Sequence, residues 1–209
     1  MKKVLALIVA ALVLSFSGCS SKETDASSSV ATKPAEVEVS AYLVGAYVDA
    51  DAAQAKLTEA GFEVVTAYKV DKKGQYVSIV YTNAAMKAAA DKTDRGFAAI
   101  GRLLVNNEKK EISIANPIYF GKAFMQDEFD YQAALALEKS LTDAFGPLTG
   151  SADKWAYEGL AGYHFMMGMP YYEEQEVVGE GSNADLLAKL KAYKKSKNFV
   201  DWEPVQNLY

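Results

Sequence analysis

The chain has 209 residues, half of them hydrophobic and 23% charged, with 22 basic against 27 acidic groups and a net charge of −5. That balance excludes a disordered polyelectrolyte. The lack of a Lys/Arg cluster before residue 189 argues against nucleic acid as a partner. One cysteine, Cys19, and one histidine, His164, exclude Cys-x-x-Cys redox sites, iron–sulfur clusters, disulfide staples and histidine-rich zinc sites. No Gly-x-Ser-x-Gly elbow, Walker loop or Gly-x-Gly-x-x-Gly loop is present.

In chain order, Met1-Lys2-Lys3 forms a short positive segment and Val4 to Leu14 an apolar run without charge. The run is too short to span a bilayer, which needs about 20 apolar residues, and it reads as a signal peptide over residues 1–18. Leu14-Ser15-Phe16-Ser17-Gly18-Cys19 resembles the bacterial lipobox, with Phe16 where an aliphatic residue is usual. The resemblance implies cleavage before Cys19 and a triacylated cysteine at the mature N-terminus. Several acyl chains, at about 0.8 kcal/mol per buried methylene, would make membrane attachment stable. Ser20, in place of Asp, resembles the Gram-negative rule that sends lipoproteins to the outer membrane, facing the periplasm. Loss of Lys2 and Lys3 with the signal leaves 20 basic against 27 acidic groups, a net of −7.

Residues 19–37 are rich in Ser, Thr, Ala, Lys and Glu and read as an unfolded tether reaching roughly 25 Å. Folding is expected over residues 38–209. Val39 to Val48 reads as a strand, Asp49 as the cap of a helix to Ala60, and Gly61 as its stop. Phe62 to Val70 and Gln75 to Thr82, separated by Asp71-Lys72-Lys73-Gly74, read as a hairpin. Asn83 caps an alanine-rich helix from Ala84 to about Lys92, and Gly96 and Gly101 weaken its continuation. Leu103 and Val105, then Ile112 and Ile114, alternate with polar residues about the turn Asn106-Asn107-Glu108-Lys109. Asn116-Pro117 closes this second hairpin.

The order of elements from Tyr76 to Pro117, together with Gly61-Phe62-Glu63-Val64, is similar to domain of unknown function family 302, a small α+β domain. The resemblance covers residues 39–117 and implies a fold, since the family has no settled activity. Only Asn83 matches the family's Cys-Asn-Pro, and Leu103-Leu104-Val105 replaces its Leu-Pro-Cys, so no role of those cysteines carries over.

A helix is expected from Glu128 to Phe145, with Tyr131, Ala134, Leu135, Leu141 and Phe145 along one stripe and Gly146-Pro147 as its stop. A loop around Ser151 follows, then strands Tyr163 to Met167 and Glu174 to Val178, an Asn183-capped helix to Lys195, and a strand from Phe199. Lys189, Lys191, Lys194, Lys195 and Lys197 read as a solvated helix face. The fold class is therefore α+β, with antiparallel or mixed sheets and packed helices. The repeated rhythm allows two similar αββαβ units, residues 38–120 and 121–209.

Three functional readings follow. The first is a non-catalytic accessory module of the cell envelope that binds a protein or small ligand and reaches the membrane through its lipid, with no cofactor. The second is a copper or haem protein using His164, Met166, Met167 and Met169, whose imidazole and thioethers suit Cu(I). On a strand His164 and Met166 face opposite to Met167 and Met169, so a three-ligand site needs another element, such as Met86 or Met125. The plainer reading gives these methionines to core packing. The third is an enzyme relying on carboxylates and tyrosines, for which no motif speaks. Glu173, Glu174 and Glu176 lack calcium-loop spacing. Tyr68, Tyr76, Tyr81 and Tyr119 are candidates to line a ligand cleft.

Overall fold

The computed structural model describes residues 38–162 and 179–193 and has an α+β fold. The first strand is split in two, where a single strand was expected from Val39 to Val48. β1 (Glu38–Ser40) pairs with β8 (Lys154–Ala156), whereas β2 (Tyr42–Ala46) joins a six-stranded sheet. Between them, Ala41 donates its N–H to Asp153 O (2.8 Å) and accepts from Asn116 N (3.0 Å), so the backbone changes partners without leaving either group unpaired.

α1 (Ala50–Glu59) begins where the Asp49 carboxylate accepts Ala52 N–H (2.9 Å). It ends with Gly61 at φ +84, whose N–H bonds Thr58 O while Phe62 N–H bonds Leu57 O. These paired bonds form a Schellman stop, and glycine supplies the left-handed residue it requires. Phe62 and Leu57 are both buried in the main core, so the stop also seats a core side chain.

β3 (Glu63–Lys69) and β4 (Tyr76–Thr82) form the expected hairpin, with a bulge between Val64 and Thr66. In its turn the Asp71 carboxylate accepts from Lys73 N and Tyr76 N, each at 3.0 Å. α2 (Ala84–Ala90) is capped by Asn83 as expected but stops two residues early. Lys92 N–H turns back to Ala90 O (2.8 Å), and a 3-10 turn at Gly96–Ala99 follows, packing Ala99 with Ala90 in one fully buried pair.

β5 (Gly101–Asn106) and β6 (Glu111–Ala115) make the second hairpin. The sequence reading ended this region at Asn116-Pro117, but α3 (Pro117–Met125) starts there. Asn116 Oδ1 accepts Ile118 N–H (2.9 Å), and Pro117 occupies a first-turn position where its missing N–H costs nothing. Aromatic residues at 119, 120 and 124 weaken the helical propensity of this segment, so its packing decides the outcome.

α4 (Tyr131–Phe145) begins three residues later than expected, because Asp130 accepts from Gln132 N and Ala133 N while Gln126–Glu128 forms a separate 3-10 turn. Around Ser151, β7 (Thr149–Gly150) and β8 flank what was expected to be loop alone, and a 3-10 turn covers Tyr157–Gly162. α5 (Asn183–Ala192) takes Ser182 rather than Asn183 as its cap: Ser182 Oγ accepts Asp185 N–H (3.2 Å). It ends at Ala192 rather than Lys195, and its Lys189 and Lys191 are exposed. The expected strands at 163–167, at 174–178 and from 199 lie outside the described residues.

The large sheet has the order β3-β4-β5-β6-β2-β7, with every neighbouring pair antiparallel. On one face, Ile79, Leu103, Val105, Ile112 and Ile114 are fully buried beneath α1 and α4, which contribute Ala53, Leu57, Leu141 and Phe145. Each large side chain there stabilises the fold by about 1.5–3 kcal/mol. On the other face, register aligns Tyr68, Ser78, Leu104, Ser113 and Val44 in one mixed row across five strands. A smaller cluster joins Ile118 of α3, Ala134 of α4, and Tyr157 and Leu160 of the last 3-10 turn.

Candidate functional site

The core face is incomplete at one end of the β4–β5 ladder. There the register sets Tyr81 opposite Gly101. With no side chain on Gly101, the Tyr81 ring lies directly over its backbone: a Cβ at that position would stand 2.3 Å from Tyr81 Cζ and 2.6 Å from its hydroxyl. Glycine in a strand is justified by such close approach. Phe62 meets the Tyr81 ring edge-on, with centroids 5.1 Å apart.

α3 does not seal this end. Pro117, Phe120, Gly121 and Phe124 from α3, with Leu137 and Leu141 from α4, line a small cleft of about 70 Å³. The aromatic wall continues outwards, because Phe120 lies 5.8 Å from both Phe124 and Tyr42, and Phe124 lies 5.8 Å from Phe97.

Polar groups at the cleft are almost all committed. Asn116, 4% exposed, donates Nδ2–H to Ser40 O (2.8 Å) as its Oδ1 caps α3, which ties the start of that helix to the chain at Ser40. Thr82, next to Tyr81 in sequence, donates to Ala99 O (2.6 Å). Tyr81 differs. Its side chain is 2% exposed, and its hydroxyl has no hydrogen-bond partner among the described residues. Among fully enclosed polar side-chain atoms of those residues only Arg95 Nε lacks a partner, so the Tyr81 hydroxyl keeps some open surface, and its ring borders the cleft. Burial pushes the phenol far above its ordinary pKa, so it remains a neutral donor at any physiological pH.

Of the four tyrosines expected to line a cleft, only Tyr81 does so. Tyr68 is exposed on β3, and Tyr76 donates to Glu108 Oε2 (2.8 Å) at the hairpin tips; both sit on the sheet face opposite Tyr81. Tyr119 packs edge-on against Phe120 and belongs to the smaller cluster. Sequence reasoning took Gly101 only as a helix breaker and passed over α3. The signal for both was present, in a glycine opening an apolar strand and in Asn-Pro at a helix start.

Cys19, His164, Met166, Met167 and Met169 lie outside the described residues, as do Glu173, Glu174 and Glu176. Met86 and Met125, considered as supplementary metal ligands, are buried, and Met86 lies in the main core beside the cleft. Among the described residues no group of three or more His, Cys, Asp or Glu side chains is placed to hold a metal ion. No helix among them is long and apolar enough to cross a membrane.

Other polar features have local roles. Between α1 and α4, Lys56 Nζ donates to Ala144 O (3.0 Å) near the end of α4, where cations complement the helix terminus. Near the Tyr131–Tyr157 ring pair, burial holds the Glu138 carboxyl above its usual range. Tyr131 is raised too, first by burial and then by the charge of Glu138.

Comparison with protein-family models, with curated proteins and with solved structures finds no match for this chain. The fold and site therefore define the molecule on their own terms, as an α+β fold with an apolar cleft lined by its third helix.

Proposed function

We propose that the protein is a non-catalytic binding module of the cell envelope, anchored in the membrane through lipid on Cys19, and that the cleft beneath α3 takes a small apolar ligand. The observation that carries the binding half is the cleft itself, walled by aromatic and aliphatic side chains with a single uncommitted hydroxyl. Binding pockets have this character, mostly apolar with few oriented polar groups. The anchor rests on Leu14 to Cys19, with the outer membrane as destination in a Gram-negative cell through Ser20. The likeness of residues 39–117 to domain of unknown function family 302 belongs to the same reading and rests on Gly61-Phe62-Glu63-Val64 and the order of elements from Tyr76 to Pro117 in the sequence.

Two measurements test the proposal. Metabolic labelling with a palmitate analogue should mark the wild-type membrane fraction. Cys19→Ser should lose the label, and a labelled Cys19→Ser protein would overturn the anchor. For binding, the chain from residue 20 retains every described sheet and core residue. Titration of that chain with ethylbenzene, followed by amide NMR, should shift Gly101 and Gly121. Unmoved resonances at both positions would remove the cleft as a binding site.

A further inference from the structure

The cleft also specifies the chemistry of what it holds. Among the described residues its wall contains no Lys, Arg, His, Asp or Glu side chain, so a charged ligand would lose hydration without gaining a counter-charge from them. The Asn116 side chain, its most polar lining group, has both ends engaged. What remains is one hydroxyl, on a ring held between Phe62 on one side and the bare backbone of Gly101 on the other. Such a ring has little freedom to seek another partner.

We infer that the cleft selects a neutral, largely apolar molecule carrying one hydrogen-bond acceptor, such as a carbonyl oxygen, and that Tyr81 is the residue that recognises it by donating a hydrogen bond from its hydroxyl. The apolar body of the ligand meets Phe120 and Phe124, while its oxygen reaches inward to the phenol. A hydrocarbon of the same shape fills the same volume but leaves the Tyr81 hydroxyl unpaired, and an unpaired buried donor is costly. Burial, which keeps Tyr81 protonated, keeps it a donor. The inference rests on the cleft being a binding site and adds the acceptor requirement to it.

Acetophenone and ethylbenzene, matched in size and differing in one carbonyl, test the two separately. In the chain from residue 20, with affinities read from amide NMR titrations, acetophenone is expected to bind about five- to tenfold more tightly. Tyr81→Phe keeps the ring and removes the hydroxyl, so the variant should fold, retain ethylbenzene affinity and lose the preference. Equal binding of the two compounds by the wild type, or a preference that survives Tyr81→Phe, overturns the acceptor inference and leaves the cleft reading standing. Failure of both compounds to shift Gly101 and Gly121 overturns the cleft reading and this inference with it.

Discussion

Along the β4–β5 ladder, the end nearest the hairpin turns is closed while the end at Tyr81 and Gly101 is open. At the closed end Ile79 faces Leu103 and Val77 faces Val105, with Ile79, Leu103 and Val105 fully buried. The adjoining turns are latched to each other. Asn107 donates to Gly74 O (2.9 Å), Tyr47 donates to Asn107 Oδ1 (2.7 Å), and Lys110 sits 4.4 Å from the centre of the Tyr47 ring. Two strand positions further on, a tyrosine faces a glycine, and aromatic rings surround a gap that none of them fills. Branched aliphatic side chains interdigitate to crystal-like density. A flat ring laid on bare backbone does not, and its hydroxyl has no hydrogen-bond partner among the described residues. One pair of strands thus forms core at one end and the wall of the cleft at the other.

Leu103→Ala should break the closed end with the largest effect, because a fully buried leucine truncated to alanine loses transfer energy and leaves a cavity. A loss of about 2–5 kcal/mol is expected from denaturant unfolding. A loss under about 1 kcal/mol would mean that this end is no better packed than the cleft. Gly101→Ala acts on the open end, where the new methyl group must displace the Tyr81 ring. Overpacking of this kind costs about 1–3 kcal/mol. Because the displaced ring is part of the cleft wall, ethylbenzene binding should fall with it; wild-type binding by Gly101→Ala would uncouple the ring from the cleft.

The smallest effect is a pH dependence confined to the first turn. Backbone N–H groups, above all that of Tyr76, hold the half-buried Asp71 carboxyl below its ordinary pKa. A lowered folded pKa means that this contribution is fully present above about pH 4, the ordinary carboxylate value, and is lost as pH falls through the folded value. Hydrogen exchange at Lys73 and Tyr76 amides, corrected for intrinsic rates, should therefore accelerate below that pH, while exchange at Gly101 should not follow. Parallel acceleration at all three would show that acid opens the whole ladder rather than its turn.

The first hairpin was legible because its signals are local: β-branched and aromatic runs on either side of Asp71 to Gly74, with glycine at a positive φ. The caps Asp49, Asn83 and the Gly61 stop were legible for the same reason. The break at Ala41 was not, since β1 and β2 share one alternating pattern and diverge only through partners more than a hundred and about seventy residues away. The start of α4 moved because Asp130 competes successfully for the amides that Glu128 was expected to precede.

The sequence by itself determined the turns, most of the caps and the alternation of the strands, because these depend on residues within about four positions of one another. It also determined that a single thiol, Cys19, and a single imidazole, His164, are present. Tertiary structure alone decided where the cleft lies. The register that sets Tyr81 against Gly101 joins residues twenty positions apart, and a slip of one residue would have turned the phenol to the opposite face. Whether a tyrosine becomes surface, core or cleft wall depends on that pairing.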